Sequence, residues 1–106
     1  MDETPTGELC FGRVTVRPER RHVLRDGQRV ALGARALDVL LALIEHRDRV
    51  VTKDELLQLA WPGLVVEENN LQVQISALRK ALGVDAIATV PARGYQFTLG
   101  QTDARP

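Results

Sequence analysis

The sequence has few of the residues that disulfide-stabilised or metal-dependent small proteins rely on. Its one cysteine, Cys10, cannot form an internal disulfide, and a reducing cytoplasm is the natural setting for such a chain. The two histidines, His22 and His46, are far apart along the sequence and lack metal-ligand spacing. We therefore expect no disulfide, no metal site and no cofactor.

Groups that carry catalysis are also scarce. The only serine, Ser76, falls in a predicted helix and not in the sharp strand-to-helix turn of a nucleophilic serine. The chain has no glycine-rich phosphate loop of the Walker type. It also has neither a signal-peptide pattern nor an apolar run of the roughly 18 residues that a membrane span needs. These absences predict a cytoplasmic protein that is not an enzyme.

The 106 residues are enough for one domain, whose core must be aliphatic because aromatic residues make up only 4% of the chain. The 14 basic and 14 acidic residues cancel, but they are segregated. Residues 12–35 carry seven arginines against two acids, residues 36–68 carry three bases against seven acids, and residues 69–99 carry three bases against one acid. A nucleic-acid-binding protein is therefore not excluded, because the position of the charges matters more than their sum.

Short apolar segments separated by arginines predict a small antiparallel sheet near the N-terminus. Asp26-Gly27 lies between two such segments and is a strong hairpin signal, because both positions of that turn favour positive φ. The predicted strands are 9–11, 14–16, 23–24 and 30–32. The arginines expected to coat the solvent face of this sheet are Arg13, Arg17, Arg20, Arg21, Arg25, Arg29 and Arg35.

Two helices are predicted to follow the sheet. The first covers about residues 34–46 and is so densely apolar that it should be buried on more than one side. The second begins at Thr52, which forms a capping box with Glu55, and it stops at Pro62-Gly63.

A third helix and a second hairpin complete the predicted elements. The helix begins at Glu67 or Asn69, runs to Leu82 and ends at Gly83, a residue type common at helix C-termini. The hairpin has a turn that carries Arg93. Its predicted strands are 87–90 and 95–99.

The third helix has two distinct faces. Its apolar stripe consists of Leu71, Ile75, Leu78 and Leu82. The opposite face consists of Asn69, Gln72, Val73, Ser76, Ala77 and Lys80. Amides pair with adenine, small apolar groups contact the thymine methyl, and a lysine reaches phosphate, so this composition suits a major groove. Taken alone, an ordinary amphipathic helix is the alternative.

The chain resembles the winged helix-turn-helix DNA-binding domain of OmpR/PhoB-type response regulators over about Leu9 to Leu99. The segments that carry the resemblance are Phe11-Gly12, Asp26-Gly27, 37–44, 51–57, Trp61, Val66-Glu67, 73–83, Thr89-Val90 and 93–97. The resemblance implies an α+β fold with a four-stranded N-terminal antiparallel sheet, three helices and a C-terminal β-hairpin wing.

By this resemblance, helix 67–82 is the recognition helix in the major groove and hairpin 89–97 is a wing on the adjacent backbone or minor groove. The residues that align with base-reading positions are Asn69, Val73, Gln74 and Ala77. The residues expected at the DNA backbone are Trp61, Arg79, Lys80 and Thr89. Arg93, in the wing, is expected at the minor groove or a phosphate. Asn69 and Pro91 stand where many relatives have arginine, so the operator cannot be copied from them.

The resemblance implies sequence-specific binding of double-stranded DNA by a bacterial transcriptional regulator, in phosphorelay signal transduction or a related system. Further expected partners are a second protomer on DNA and RNA polymerase, which would be contacted through residues 61–66. Residues 9–99 are the expected domain, with a disordered tail at 1–8 and a linker at 100–106. The chain resembles receiver-less members, which attach a sensor, membrane or ATPase-like domain behind the DNA-binding domain; the alternative is a receiver domain that precedes it. The alternative function is a winged helix that binds protein and has no DNA affinity.

Overall fold

The computed structural model describes residues 8–100, so most of the two expected tails, at 1–7 and 101–106, lies outside the described residues. Within this range the chain forms two compact units. Residues 8–31 with Leu99 and Gly100 form the first unit, and residues 32–98 form the second.

The first unit is a four-stranded antiparallel sheet in the order β1-β2-β3-β4. In β2 the buried Val14 and Val16 alternate with the half-buried Thr15 and Arg17, which is the period-two pattern of a strand with one buried face. The strands are β1 Leu9–Phe11, β2 Val14–Arg17, β3 His22–Arg25 and β4 Gln28–Arg29.

The fourth strand differs from its predicted position at 30–32. Asp26 and Gly27 have φ angles of 54° and 82°, so they make a two-residue hairpin turn and Arg25 pairs directly with Gln28. Because the turn contains only two residues, β4 begins directly after it, at Gln28. Val30 still donates its backbone N–H to the Val23 carbonyl oxygen at 2.8 Å.

Three helices form the core of the second unit, and their bounds confirm the predicted elements. They are α1 Ala34–Glu45, α2 Lys53–Ala60 and α3 Glu68–Leu82. Helix α1 packs against both of the others and is buried on more than one side, as its apolar sequence predicts. Its buried residues are Ala36, Leu37, Val39, Leu40, Ala42, Leu43 and Ile44.

The start of α2 is held by the predicted capping box. The Thr52 hydroxyl accepts the backbone N–H of Glu55 at 3.1 Å, and the Glu55 carboxylate accepts the backbone N–H of Thr52 at 3.0 Å. Arg49 adds two hydrogen bonds of 2.9 Å to the same carboxylate. The Arg49 guanidinium, with help from the Thr52 backbone, lowers the pKa of Glu55 to about 2. Glu55 is therefore ionised at neutral pH, and the first turn of α2 is fixed in position.

A second antiparallel sheet contains the predicted C-terminal hairpin and one strand more. Its strands are β5 Val51–Thr52, β6 Ile87–Val90 and β7 Gly94–Phe97, in the order β5-β7-β6. Tyr95 and Phe97 on the central strand are buried and belong to the core. Strand β5 was not predicted. A two-residue strand has no periodicity, and this one is defined by its pairing with a strand far along the chain.

None of the helices within residues 8–100 combines the length and the apolar character that crossing a bilayer requires. No group of three or more histidine, cysteine, aspartate or glutamate side chains is placed to hold a metal ion within residues 8–100.

Candidate nucleic-acid interface

Helix α3 separates an apolar stripe from a polar face as its sequence predicts. Leu71, Ile75, Leu78 and Leu82 are all buried. The face opposite them consists of exposed residues, and its valine, Val73, retains 54% of its accessible surface. Those exposed residues are Asn69, Gln72, Val73, Ser76, Ala77 and Lys80. This exposed side of α3, called the polar face below, presents amides, a hydroxyl, small apolar groups and one cation to solvent.

The four residues predicted to read bases divide into two groups. Asn69, Val73 and Ala77 are all exposed and are spaced four residues apart, so they form one stripe along α3. Gln74 is half-buried and flanks the apolar stripe next to Ile75. The structure therefore brings together the first three residues and puts Gln74 at the edge of the polar face.

An ion pair joins the start of α3 to the start of α2. The Lys53 Nζ lies 2.7 Å from the Glu68 carboxylate. This contact raises the pKa of Lys53 and lowers the pKa of Glu68, which also accepts a hydrogen bond from Gln72. The pair neutralises a carboxylate that borders the polar face. Nothing in the sequence indicates this pair, because the two residues are 15 positions apart in separate helices.

Trp61, a predicted DNA-backbone residue, lies at the end of α2 and is 7% exposed. The Arg35 guanidinium is 5.5 Å from the centroid of its ring, close enough for a cation–π interaction. Arg35 also donates a hydrogen bond to the carbonyl oxygen of Ala60. The prediction that Arg35 coats the N-terminal sheet is therefore wrong, since this arginine belongs to α1 and holds the end of α2.

Two other predicted DNA-backbone residues, Arg79 and Thr89, contact each other. Arg79 Nη2 donates to the Thr89 hydroxyl oxygen at 2.7 Å and to the Ile87 carbonyl oxygen at 2.8 Å. Arg79 Nε donates to the same carbonyl oxygen at 3.1 Å. These three hydrogen bonds join the last turn of α3 to β6. Lys80, beside Arg79, is exposed.

The turn of the hairpin presents Arg93 to solvent. Pro91, Ala92 and Arg93 are all exposed, and Ala92 has a positive φ of 64°. The carbonyl oxygen of Arg93 accepts the backbone N–H of Lys53 at 3.3 Å. The turn is therefore tied to the start of α2, while the Arg93 side chain projects from its tip.

The connection between α2 and α3 carries exposed apolar side chains. Leu64 retains 60% of its accessible surface and Val65 is fully exposed. Leu59, in the last turn of α2, is 49% exposed. Residues 61–66 thus combine a buried tryptophan with an apolar segment that faces solvent.

Comparison with known proteins gives a consistent set of relatives. The family described as "Transcriptional regulatory protein, C terminal" matches residues 27–97. The transcriptional activator CadC of Escherichia coli K12 is 33% identical over 92 residues, which are 81% of this chain and 18% of CadC. The phosphate regulon regulatory protein PhoB of Pseudomonas aeruginosa is 34% identical over 91 residues, 82% of this chain and 40% of PhoB. The chain thus spans less than half the length of either relative.

Solved structures agree with these sequence matches. The DNA-binding domain of E. coli CadC superimposes with a TM-score of 0.79 and 29% identity, covering 92% of this chain and 96% of that domain. The DNA-binding domain of RstA from Klebsiella pneumoniae, in a crystal structure with the RstA box, gives a TM-score of 0.74 and 31% identity. That match covers 88% of this chain and 98% of the RstA chain.

Proposed function

Because this chain belongs to the family of transcriptional regulatory protein C-terminal domains, we propose that it binds double-stranded DNA sequence-specifically. In this role it is the DNA-binding domain of a bacterial transcriptional regulator that acts in the cytoplasm, and its activity is binding and not catalysis. Helix α3 lies in the major groove, and the β6–β7 hairpin contacts the adjacent backbone or minor groove.

The polar face of α3 is the observation that carries this proposal. A solvated helix face is ordinarily rich in lysine, arginine and glutamate, whereas this one has Lys80 as its only charged member. The side chains of the Asn69–Val73–Ala77 stripe are short enough for base edges to approach the helix. The amide of Asn69 pairs with adenine, and the two apolar residues contact thymine methyl groups. Gln74, at the edge of the face, reads a base at the periphery of the same contact.

The contacts with the DNA backbone surround this stripe. Lys80 and Arg93 are exposed cations at the end of α3 and at the tip of the hairpin. Thr89 is exposed on β6, and Trp61, which retains 7% of its accessible surface, contacts a phosphate in this proposal. These groups fix the register of the domain on DNA without reading sequence. Arg79 belongs to the same set through its hydrogen bonds with Thr89 and Ile87.

A single copy of the domain binds modestly. Residues 69–99, which supply most of the proposed interface, carry three bases and one acid, so few phosphates are neutralised. Useful occupancy then requires a second protomer on DNA, or tethering by a sensor or effector domain of the full regulator, both of which raise the effective concentration.

Binding of the whole chain to a random duplex across a range of salt concentrations tests the proposal. Each neutralised phosphate contributes about −0.9 to the slope of log K against log salt, so two or three cations predict a slope of roughly −2 to −3. The same experiment tests the alternative of a protein-binding winged helix. If no binding occurs even at low salt, DNA binding is refuted and the protein-binding alternative takes its place.

Asn69→Ala should change sequence preference more than overall affinity. Loss of a bidentate amide contact removes roughly 1–3 kcal/mol of discrimination at one base pair. The measurement is selection from a randomised duplex library followed by titration of single-base variants of the selected site. Asn70→Ala is the matched control, because Asn70 is also exposed but its side chain donates to the Glu67 carbonyl oxygen. Unchanged preference in Asn69→Ala would show that Asn69 does not read a base.

We further propose that the segment 61–66 contacts RNA polymerase, because its exposed Leu64 and Val65 offer an apolar surface that the fold does not bury. Leu64→Ser with Val65→Ser should leave DNA affinity unchanged and weaken recruitment of polymerase to a DNA-bound chain by about fivefold or more, corresponding to about 1 kcal/mol. Val84→Ser, at another exposed valine, is the control. Equal polymerase recruitment by the Leu64→Ser/Val65→Ser variant and the Val84→Ser control would refute this contact.

A further inference from the structure

The hydrogen bonds of Arg79 cover an edge of the second sheet. Strand β6 lies at the edge of the β5-β7-β6 order, so the carbonyl groups on its outer side have no neighbouring strand. Ile87, the first residue of β6, uses its carbonyl oxygen to accept two N–H groups from Arg79. Arg79 thereby attaches the hairpin to the last turn of α3.

The third hydrogen bond fixes the polarity of the Thr89 hydroxyl. A guanidinium can only donate, so the Thr89 oxygen must be the acceptor in its 2.7 Å contact with Arg79. The hydroxyl proton of Thr89 is then directed away from Arg79. Because Thr89 is exposed, that proton is available to an acceptor outside the protein.

A phosphate oxygen matches this arrangement, since it accepts hydrogen bonds and cannot donate them. The Arg79 side chain, in contrast, is half-buried, and its Nε and Nη2 atoms are both committed to β6. Lysine could supply a positive charge at this place, but it could not make the fork of hydrogen bonds to Ile87 and Thr89. Three of the five N–H groups of Arg79 are thus used inside the protein, whereas the Thr89 hydroxyl keeps its proton for an outside acceptor, so Thr89 is the better placed of the two to donate to a phosphate.

We infer that Arg79 is a positioning residue that acts on DNA through Thr89. It holds β6 against α3 and orients the Thr89 hydroxyl as a donor to a phosphate oxygen. This inference rests on the proposed DNA-binding function and gives separate roles to Arg79 and Thr89, two of the residues proposed at the DNA backbone. It also predicts that the distance between the recognition helix and the hairpin depends on Arg79.

A double-mutant cycle on the 106-residue chain tests this inference. Thr89→Val removes the hydroxyl and should weaken duplex binding by roughly tenfold, the effect of losing one hydrogen bond to a charged group. Arg79→Lys keeps the charge and should weaken binding at least as much. The double variant should bind no more weakly than Arg79→Lys, because Thr89 contributes only when Arg79 orients it.

The opposite pattern would overturn the inference. If Arg79 contacts phosphate directly, Arg79→Lys retains most of the affinity and the salt slope, and the effects of the two substitutions multiply. Thr89→Ser, which keeps the hydroxyl, should bind like the parent chain, and tenfold weaker binding by this variant would also count against the inference. If the parent chain binds no duplex at low salt, the proposed function itself is refuted. The two failures are therefore distinguishable.

A measurement on the unmodified chain covers the case in which Arg79→Lys does not fold. The Nε–H proton of Arg79 should exchange slowly with solvent in the free protein, because it is hydrogen-bonded to Ile87. Its NMR resonance should shift little when duplex is added, whereas the Arg93 Nε–H resonance should shift. A large chemical-shift change of the Arg79 Nε–H resonance, without a shift of the Thr89 resonances, would identify Arg79 as the direct contact.

Discussion

Ala77→Glu should weaken duplex binding by about 100-fold or more, since a like charge placed against an anionic partner costs several kcal/mol. Ala77 is exposed at the C-terminal end of the Asn69–Val73–Ala77 stripe. A glutamate there would bring a carboxylate into a groove lined by phosphates. The substitution should not disturb the fold, because glutamate is a good helix former and exposed changes usually alter stability by about 0.5 kcal/mol or less.

The matched control for this experiment is Ala34→Glu. Ala34 is also exposed and is the first residue of α1, where a negative charge is favourable to the helix dipole. Both variants add one carboxylate, so they change the net charge of the chain equally. Fluorescence anisotropy with a labelled duplex measures both affinities, and circular dichroism checks the helical content. Similar affinities for the two variants would mean that the polar face of α3 does not meet DNA.

The parts of this structure that the sequence predicts are those determined locally. The apolar stripe Leu71–Ile75–Leu78–Leu82 has helical spacing, and it correctly assigns which side of α3 is buried. The capping box between Thr52 and Glu55 spans three residues and correctly marks where α2 begins. The Asp26-Gly27 turn is equally local, although the strand that follows it begins earlier than its apolar residues indicate.

The features that escaped prediction depend on residues distant in sequence. Strand β5 exists because Val51 and Thr52 pair with β7, and two residues carry no periodic signal. The Lys53–Glu68 ion pair and the Arg79–Thr89 hydrogen bond each join two elements whose relative position is set by the packed core. The polar face of α3 was predictable because helical periodicity defines it. The contacts that orient α3 against α2 and the hairpin were not.

The largest stability effect is expected at Gly94, where three strands meet. Gly94 lies on the central strand β7 and pairs with Thr52 on one side and Val90 on the other. A Cβ at this position would lie 2.0 Å from the Val51 carbonyl oxygen and 2.8 Å from the Thr52 Cα. Both are backbone atoms, so β5 must move away and the N-cap of α2 moves with it.

Gly94→Ala should therefore reduce the free energy of unfolding by about 3 kcal/mol or more, at or above the upper end for overpacking. Urea denaturation measures this loss, which is a large part of the 5–15 kcal/mol typical of a small domain. Gly100→Ala is the control, because a Cβ there meets nothing within 4 Å. A loss below about 1 kcal/mol would mean that β5 yields easily and is not a fixed part of the sheet. Conversely, a loss of stability as large as predicted would show that the tight β5–β7 contact is the reason why this position of the hairpin requires glycine.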